Sequence, residues 1–219
     1  MQTLTEKVFK LAPPGGVFDE TVIGNLFPDG SNGARALLVH RACRAGEILR
    51  LNPGLFVLSP PYRKSEPHPF VLAGMLHAPS HISLESALAH HGLIPEAVYQ
   101  VSSVTLGRSR EFSTPLGVFN FRRVPTRAPR AGVEAVEVAR NAWAFIAEPL
   151  RAIADAVYLN KDITWNRNGL GYLTESLRIE EDDIRSLSFE ALDEIQDSIR
   201  SRRGRAYIEG LRGAVNHAG

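Results

Sequence analysis

The chain has 219 residues, of which 44% are apolar and 22% charged, with a formal net charge of +1. This is ordinary globular composition, long enough for one large or two small domains, and it excludes a disordered polyelectrolyte. No apolar run approaches the ~18 residues that a membrane span needs, and no charged leader followed by an apolar stretch opens the sequence, so a cytoplasmic protein is expected. The single cysteine, Cys43, supports neither an internal disulfide nor a structural zinc site and reads as a small buried residue.

Leu4, Val8 and Leu11 fall at helical spacing, and Pro13, Pro14, Gly15 and Gly16 stop that helix. Asp19 is a suitable N-cap for a second helix through Val22, Ile23 and Leu26, ended by Pro28, Asp29 and Gly30. Ser31 or Asn32 then caps a third, whose apolar stripe is read as Ala34, Leu37, Leu38, Arg41 and Ala42, running to Gly46. Ile48, Leu49 and Leu51, the turn Asn52-Pro53-Gly54, and Leu55 to Leu58 read as a β-hairpin. Three helices followed by a two-stranded wing is the winged helix-turn-helix order. An ordinary helical subdomain with a hairpin has the same order.

Pro60, Pro61 and the polar stretch from Arg63 to Pro69 read as a linker, which divides the chain into a DNA-binding domain at 1–61 and a mixed α+β domain at 67–219. In the second domain short helices are expected at Phe70 to Leu76 and at Ser83 to about Gly92, with Ser83 as N-cap. Two strands, Tyr99 to Leu106 and Val118 to Val124, are expected as an antiparallel pair around the turn Thr114-Pro115-Leu116-Gly117. Val133 to Val138 can form a further strand. Ala147 to Leu159 carries the clearest helical stripe, and Phe189, Leu192, Ile195 and Ile199 mark a last helix trailed by Arg200, Arg202, Arg203 and Arg205. The fold class is α+β.

Charge is uneven. From Ser31 to Arg50 there are Arg35, Arg41, Arg44 and Arg50 against Glu47 alone, while Glu180 to Asp197 holds eight acidic residues against Arg185. The basic surplus belongs to the phosphate-facing end and the acidic one does not. With the third helix in a major groove, Ser31 and Asn32 reach phosphate or a base edge, Arg35 suits a bidentate fork to guanine, and His40 lies further along the exposed side. Arg50 and Asn52 sit on the wing, and Arg63 and Lys64 add sequence-independent attraction to double-stranded DNA.

No catalytic, metal or cofactor residues are assigned. His77, His81 and Glu85 have metal-like spacing, but Pro79 breaks the helix that would align them. There is no Gly-x-Ser-x-Gly elbow, no phosphate loop with its lysine, and no carboxylate two positions before any of the four lysines. An enzyme using the DNA-binding module as a targeting arm is the weaker class.

The run Ile82 to Pro95, Ile-Ser-Leu-Glu-Ser-Ala-Leu-Ala-His-His-Gly-Leu-Ile-Pro, resembles a segment of the AbiEi-type antitoxin regulators. Val104-Thr105-Leu106-Gly107-Arg108-Ser109, Thr114 to Gly117 and the wing segment Gly54 to Val57 are similar to that family as well. Ile146 to Asp155 follows its helix pattern and keeps Pro149, with Leu150-Arg151 where the family has Glu-Lys. The resemblance covers about residues 1 to 160. It implies a type IV toxin–antitoxin regulator that represses its own promoter and counters a nucleotidyltransferase toxin. A stand-alone transcription factor carries the same signals.

Overall fold

The computed structural model describes residues 3–95 and 100–217; the expected strand residue Tyr99 lies outside them. The protein is a mixed α+β molecule with two sheets. The first half contains α1 (Leu4–Leu11), β1 (Val17–Asp19), α2 (Glu20–Leu26), α3 (Asn32–Arg44), β2 (Ile48–Asn52) and β3 (Leu55–Leu58). The second contains α4 (Pro69–Leu76), β4 (Ser80–Ile82), α5 (Leu84–His90), β5 (Gln100–Thr105), β6 (Arg110–Thr114), β7 (Gly117–Arg123), β8 (Val133–Ala139), β9 (Ala142–Ala147) and α6 (Pro149–Leu159). Four more helices follow: α7 (Trp165–Asn168), α8 (Glu181–Arg185), α9 (Leu192–Ser198) and α10 (Arg202–His217). No helix among the described residues is long and apolar enough to cross a membrane.

Side-chain caps start the first three helices, those of Asp19 and Ser31 as expected. Thr3 and Glu6 form a reciprocal capping box on α1, the Asp19 carboxylate accepts from the Val22 amide at 2.9 Å, and the Ser31 hydroxyl accepts from the Ala34 amide at 3.2 Å. The expected hairpin forms between β2 and β3, with Pro53 and Gly54 as its two-residue loop. Gly54 takes a φ of +80°, the left-handed region that the third position of a Pro-Gly turn requires. The sequence reading did not include β1. It pairs antiparallel with β3, so the sheet order is β1-β3-β2. Three residues after a Gly-Gly turn are too few to show an alternating pattern.

All four residues of β3 are buried. Phe56 and Leu58 face the helices, in a core with Leu4, Val8, Phe18, Ile23, Val39 and Ala42. Leu55 and Val57 point the other way, with Val17 and Leu51, into the large core of the second half. A strand buried on both faces reads as an unbroken apolar run, which is what Leu55-Phe56-Val57-Leu58 is. The segment from Pro60 to Pro69 expected as a linker therefore joins two parts that share a hydrophobic surface. Within it, Arg63 donates to the Leu58 carbonyl and pairs with Glu66.

The second sheet has six strands in the order β6-β7-β5-β4-β9-β8. Two expectations change here. The strands expected as an antiparallel pair, β5 and β7, run parallel, and the hairpin closed by Pro115-Leu116 joins β7 to β6 instead. Arg110 to Thr114 is a polar edge strand without apolar alternation, so periodicity did not reveal it. The C-terminal end also extends further than expected: α9 stops at Ser198, and the 16-residue α10 brings Tyr207, Ile208 and Leu211 fully into the core. The arginines read as a trailing cluster lie at its start, and Arg203 donates to the Asn160 and Tyr158 carbonyls.

If β3 couples the two halves, the chain unfolds as one unit. Val57→Ala is expected to cost about 2 kcal/mol and to shift denaturant midpoints equally whether followed by Cys43 thiol labelling in the first half or by tryptophan fluorescence in the second. Midpoints that move for only one probe would show that the halves fold independently.

Candidate functional site

The α2–α3 turn is held by cations from both sides. Arg35 donates through Nε to the Phe27 carbonyl and through Nη2 to the Pro28 carbonyl, each at 3.0 Å. Lys7 donates to the Leu26 carbonyl at 2.6 Å and lies over the Phe27 ring. These carbonyls end α2 and have no helical acceptor role left, so charged donors there fix the angle between the two helices. Arg35, expected as a fork for guanine, is thus a clamp within the chain.

The face of α3 also differs from expectation. Val39 and Ala42 are buried, with Arg35, Leu38 and Cys43 half-buried, while Ala34, Leu37 and Arg41 are exposed. The run Leu37-Leu38-Val39 satisfies two helical stripes that differ by one position, and the neighbours of Phe18, Ile48 and Phe56 select the second. Gly33, Leu37, His40 and Arg44 consequently form one exposed row, with Asn32, Ala36 and Arg41 beside it. Of the expected contacts, Ser31 is spent as the helix cap, and Asn32 and His40 stay on the open face.

On the hairpin, the Arg50 guanidinium lies 5.3 Å from the centre of the Phe56 ring and remains exposed, and Asn52 sits half-buried at a bulge. Gly54 packs beside Glu20, so a carboxylate stands next to the hairpin tip. The Arg63 side chain is only 5% exposed and is paired with Glu66, which removes it from the expected set of phosphate contacts. Lys64 is exposed, 5.2 Å over the Phe9 ring. Arg41 and Arg44 are both exposed on α3, Arg41 against its expected place in the buried stripe.

A buried polar network lies under the second sheet. Asp155 on α6 accepts from Arg151 Nε at 3.0 Å and from Ser83 Oγ at 2.9 Å, and His81 Nε2 stands 3.4 Å from the same carboxylate. Arg151 also donates to the Ala131 carbonyl at 2.8 Å. Burial alone would push the Asp155 carboxyl up, but Arg151, His81 and Ser83 together hold it below its usual range. Gly132, with a φ of +63°, lets the adjoining loop come in, since a Cβ there would lie 2.7 Å from Ile195 Cδ1 and 3.0 Å from Arg151 Cβ. Ser83, expected as a helix cap, makes no cap bond and serves the carboxylate instead.

Chemically this set fixes geometry. Ser83 donates its hydroxyl proton to the Asp155 carboxylate. His77 ends up beside Phe112 and Phe121, away from the His81–Asp155 pair. Among the described residues, no group of three side chains is placed to hold a metal ion. Arg151 thus supplies the cation that balances Asp155.

Above His81 the sheet opens into a cleft of about 480 Å³ between α4, β5 and β9. Its walls include Phe70, Met75, Leu106, Trp143 and Phe145. Comparison with protein-family models and with curated protein sequences finds no match to this chain.

The network predicts a pH signature. Because the folded pKa of Asp155 lies below its ordinary 3.8, its contribution to stability is complete above that value and is lost as pH falls through the folded pKa. Asp155→Asn should destabilise by roughly 3 to 5 kcal/mol near neutrality, since Arg151 is left buried without its partner. In denaturant titrations the gap between wild type and variant should hold from pH 7 to pH 5 and narrow below about pH 4; a gap independent of pH would show that the carboxylate is not held ionised.

Proposed function

We propose that this protein is a DNA-binding transcriptional regulator in which residues 3–58 form a winged helix-turn-helix, and that it serves as the autorepressor and antitoxin of a type IV toxin–antitoxin pair. The observation that carries the DNA-binding part is the exposed row on α3 with its two flanking arginines. Helix order α1-β1-α2-α3 followed by a hairpin that closes on β1 supports the winged-helix reading, in which α3 would be the element presented to a major groove. The clamp of Arg35 and Lys7 on the α2–α3 turn gives that helix a fixed projection, as recognition requires.

The side chains suit the task. Arg41 and Arg44 lie toward the C-terminal end of α3 and can meet backbone phosphates on the groove wall. Asn32 and His40 offer base-edge hydrogen bonds, and Leu37, 46% exposed, is an apolar side chain of the kind that packs on a thymine methyl. Arg50 and Lys64 flank this face as cations for phosphate. The antitoxin part rests on the family resemblance of Ile82 to Pro95 and Ile146 to Asp155, whose residues line the core and the buried network of the second half. Its partner would be a nucleotidyltransferase toxin, opposed without any catalytic act by this chain.

Binding to the protein's own promoter region, measured across salt concentration, tests this. Each phosphate contact contributes about 0.9 to the slope of log K against log salt, so the Arg41→Ala/Arg44→Ala variant should flatten the slope by about 1.8 and weaken binding. Leu37→Ala should leave the slope unchanged while narrowing the gap between operator and random duplex. Unchanged slope in the double variant would refute the assignment of the α3 face.

A second measurement separates repressor from antitoxin. In cells carrying the toxin under an independent promoter, the Arg41→Ala/Arg44→Ala variant should lose repression and still relieve growth arrest. If relief vanishes with repression while the protein remains folded, the antitoxin role falls and a stand-alone transcription factor is left.

A further inference from the structure

From the cleft above His81, we infer that the second half binds a small organic acid: an apolar or aromatic body ending in a single carboxylate. The exposed large apolar side chains of this protein are not scattered. Of the eight among the described residues, namely Phe9, Leu11, Leu37, Tyr62, Met75, Leu106, Trp143 and Phe145, the last four all line this one cleft. An isolated exposed apolar residue is ordinary, whereas four converging on one concavity mark a surface meant to be covered. Trp143 and Phe145 alternate with Ala144 and Ile146 along β9, so the two rings share one face of the strand.

Size points to a small molecule. About 480 Å³ lies within the range of pockets that enclose compounds of drug-like size. The opening has a local cause: β4 is only three residues long, and in the Ile82–Ile146 register β9 runs on past its start at Ala142 and Trp143, whereas β5 ends level with Ser80. Side chains of α4 and the segment from Val124 to Val133 close the two sides.

Charge selects the ligand class. The ionisable residues of the wall are His81 and Arg130, and no carboxylate is among them. The negative charge nearest the floor, Asp155, is balanced by Arg151 at 3.0 Å, so the cleft presents a net cation. Arg130 is exposed at the rim, where its planar fork can take both oxygens of one carboxylate while the body of the ligand displaces water from the aromatic walls. His81, held by Asp155, is a fixed polar point inside a mainly apolar space.

The test uses the full chain with two probe acids, 2-naphthoate and decanoate, each against its neutral counterpart, 2-naphthamide and decanol. Binding is followed by Trp143 fluorescence in a Trp165→Phe background and by calorimetry. Saturable one-to-one binding of at least one acid, at least about tenfold tighter than its neutral counterpart, is expected, and preference between the two acids identifies an aromatic or an aliphatic body. Arg130→Gln should weaken the acid about tenfold or more and leave the neutral analogue unchanged.

A Cβ at Gly74 meets nothing within 4 Å, and Gly74 lines the cleft. Gly74→Leu should therefore fill the cavity without unfolding the protein, abolishing binding while the melting temperature is kept. The inference is overturned if neither acid saturates, if acid and neutral analogue bind alike, if Gly74→Leu binds as the wild type does, or if Gly74→Leu changes the oligomeric state, which would mean that another protein chain covers the cleft. None of these outcomes depends on DNA binding.

Discussion

Four residues, Leu55 to Leu58, carry the connection on which the molecule depends. They form the middle strand of a three-stranded sheet whose two faces belong to different cores. Phe56 and Leu58 close the helical core, and Leu55 and Val57 close the larger one. Because side chains alternate along a strand, one rigid backbone fixes both sets at once. A single-residue slip would exchange the two sets and disturb both cores together. The position of α3 relative to the second half follows from this sheet, since α3 packs on Phe56 and Ile48 from one side while β6 meets β2.

Charges do a second kind of structural work. Arg35, Lys7, Arg63, Arg151 and Arg203 all donate to backbone carbonyls. In each case the acceptor lies near a helix end, a strand end or a loop. The Asp155 network extends the same logic into the interior: a carboxylate under the sheet is held by Arg151, Ser83 and His81, and these come from α6, the β4–α5 junction and β4 itself. That brings two stretches distant in sequence, around Ser83 and around Asp155, into direct contact.

Much of this was legible beforehand, and the exceptions have physical causes. Helices with caps and strong stripes, such as α1, α2 and α6, and the Pro-Gly hairpin follow directly from local chemistry. The apolar face of α3 was not fixed by periodicity, because Leu37, Leu38 and Val39 fit two stripes and only tertiary packing chooses between them. Arginine identity gave no sign of whether a guanidinium would face solvent or a nearby carbonyl, so Arg35 and Arg63 read as contacts when each has an internal partner. Strands β1 and β6 are too short or too polar to alternate visibly. The polar run Arg200 to Arg205 hid the start of α10, whose buried apolar side chains begin only at Tyr207.

The central proposal, that the open row of α3 enters a DNA groove, is tested most directly by proximity. Ala36 lies on the exposed side of α3, so a cysteine there, in a Cys43→Ser background and carrying an iron chelate that cleaves nearby deoxyribose, should cut the promoter duplex at a few consecutive positions within the protected site. The same reagent on Glu190→Cys, in the acidic C-terminal segment, is the control and should cut only at background level. Localised cutting from position 36 is the result expected. Equal, diffuse cutting from both positions, or stronger cutting from 190, would contradict the proposed orientation of the molecule on DNA.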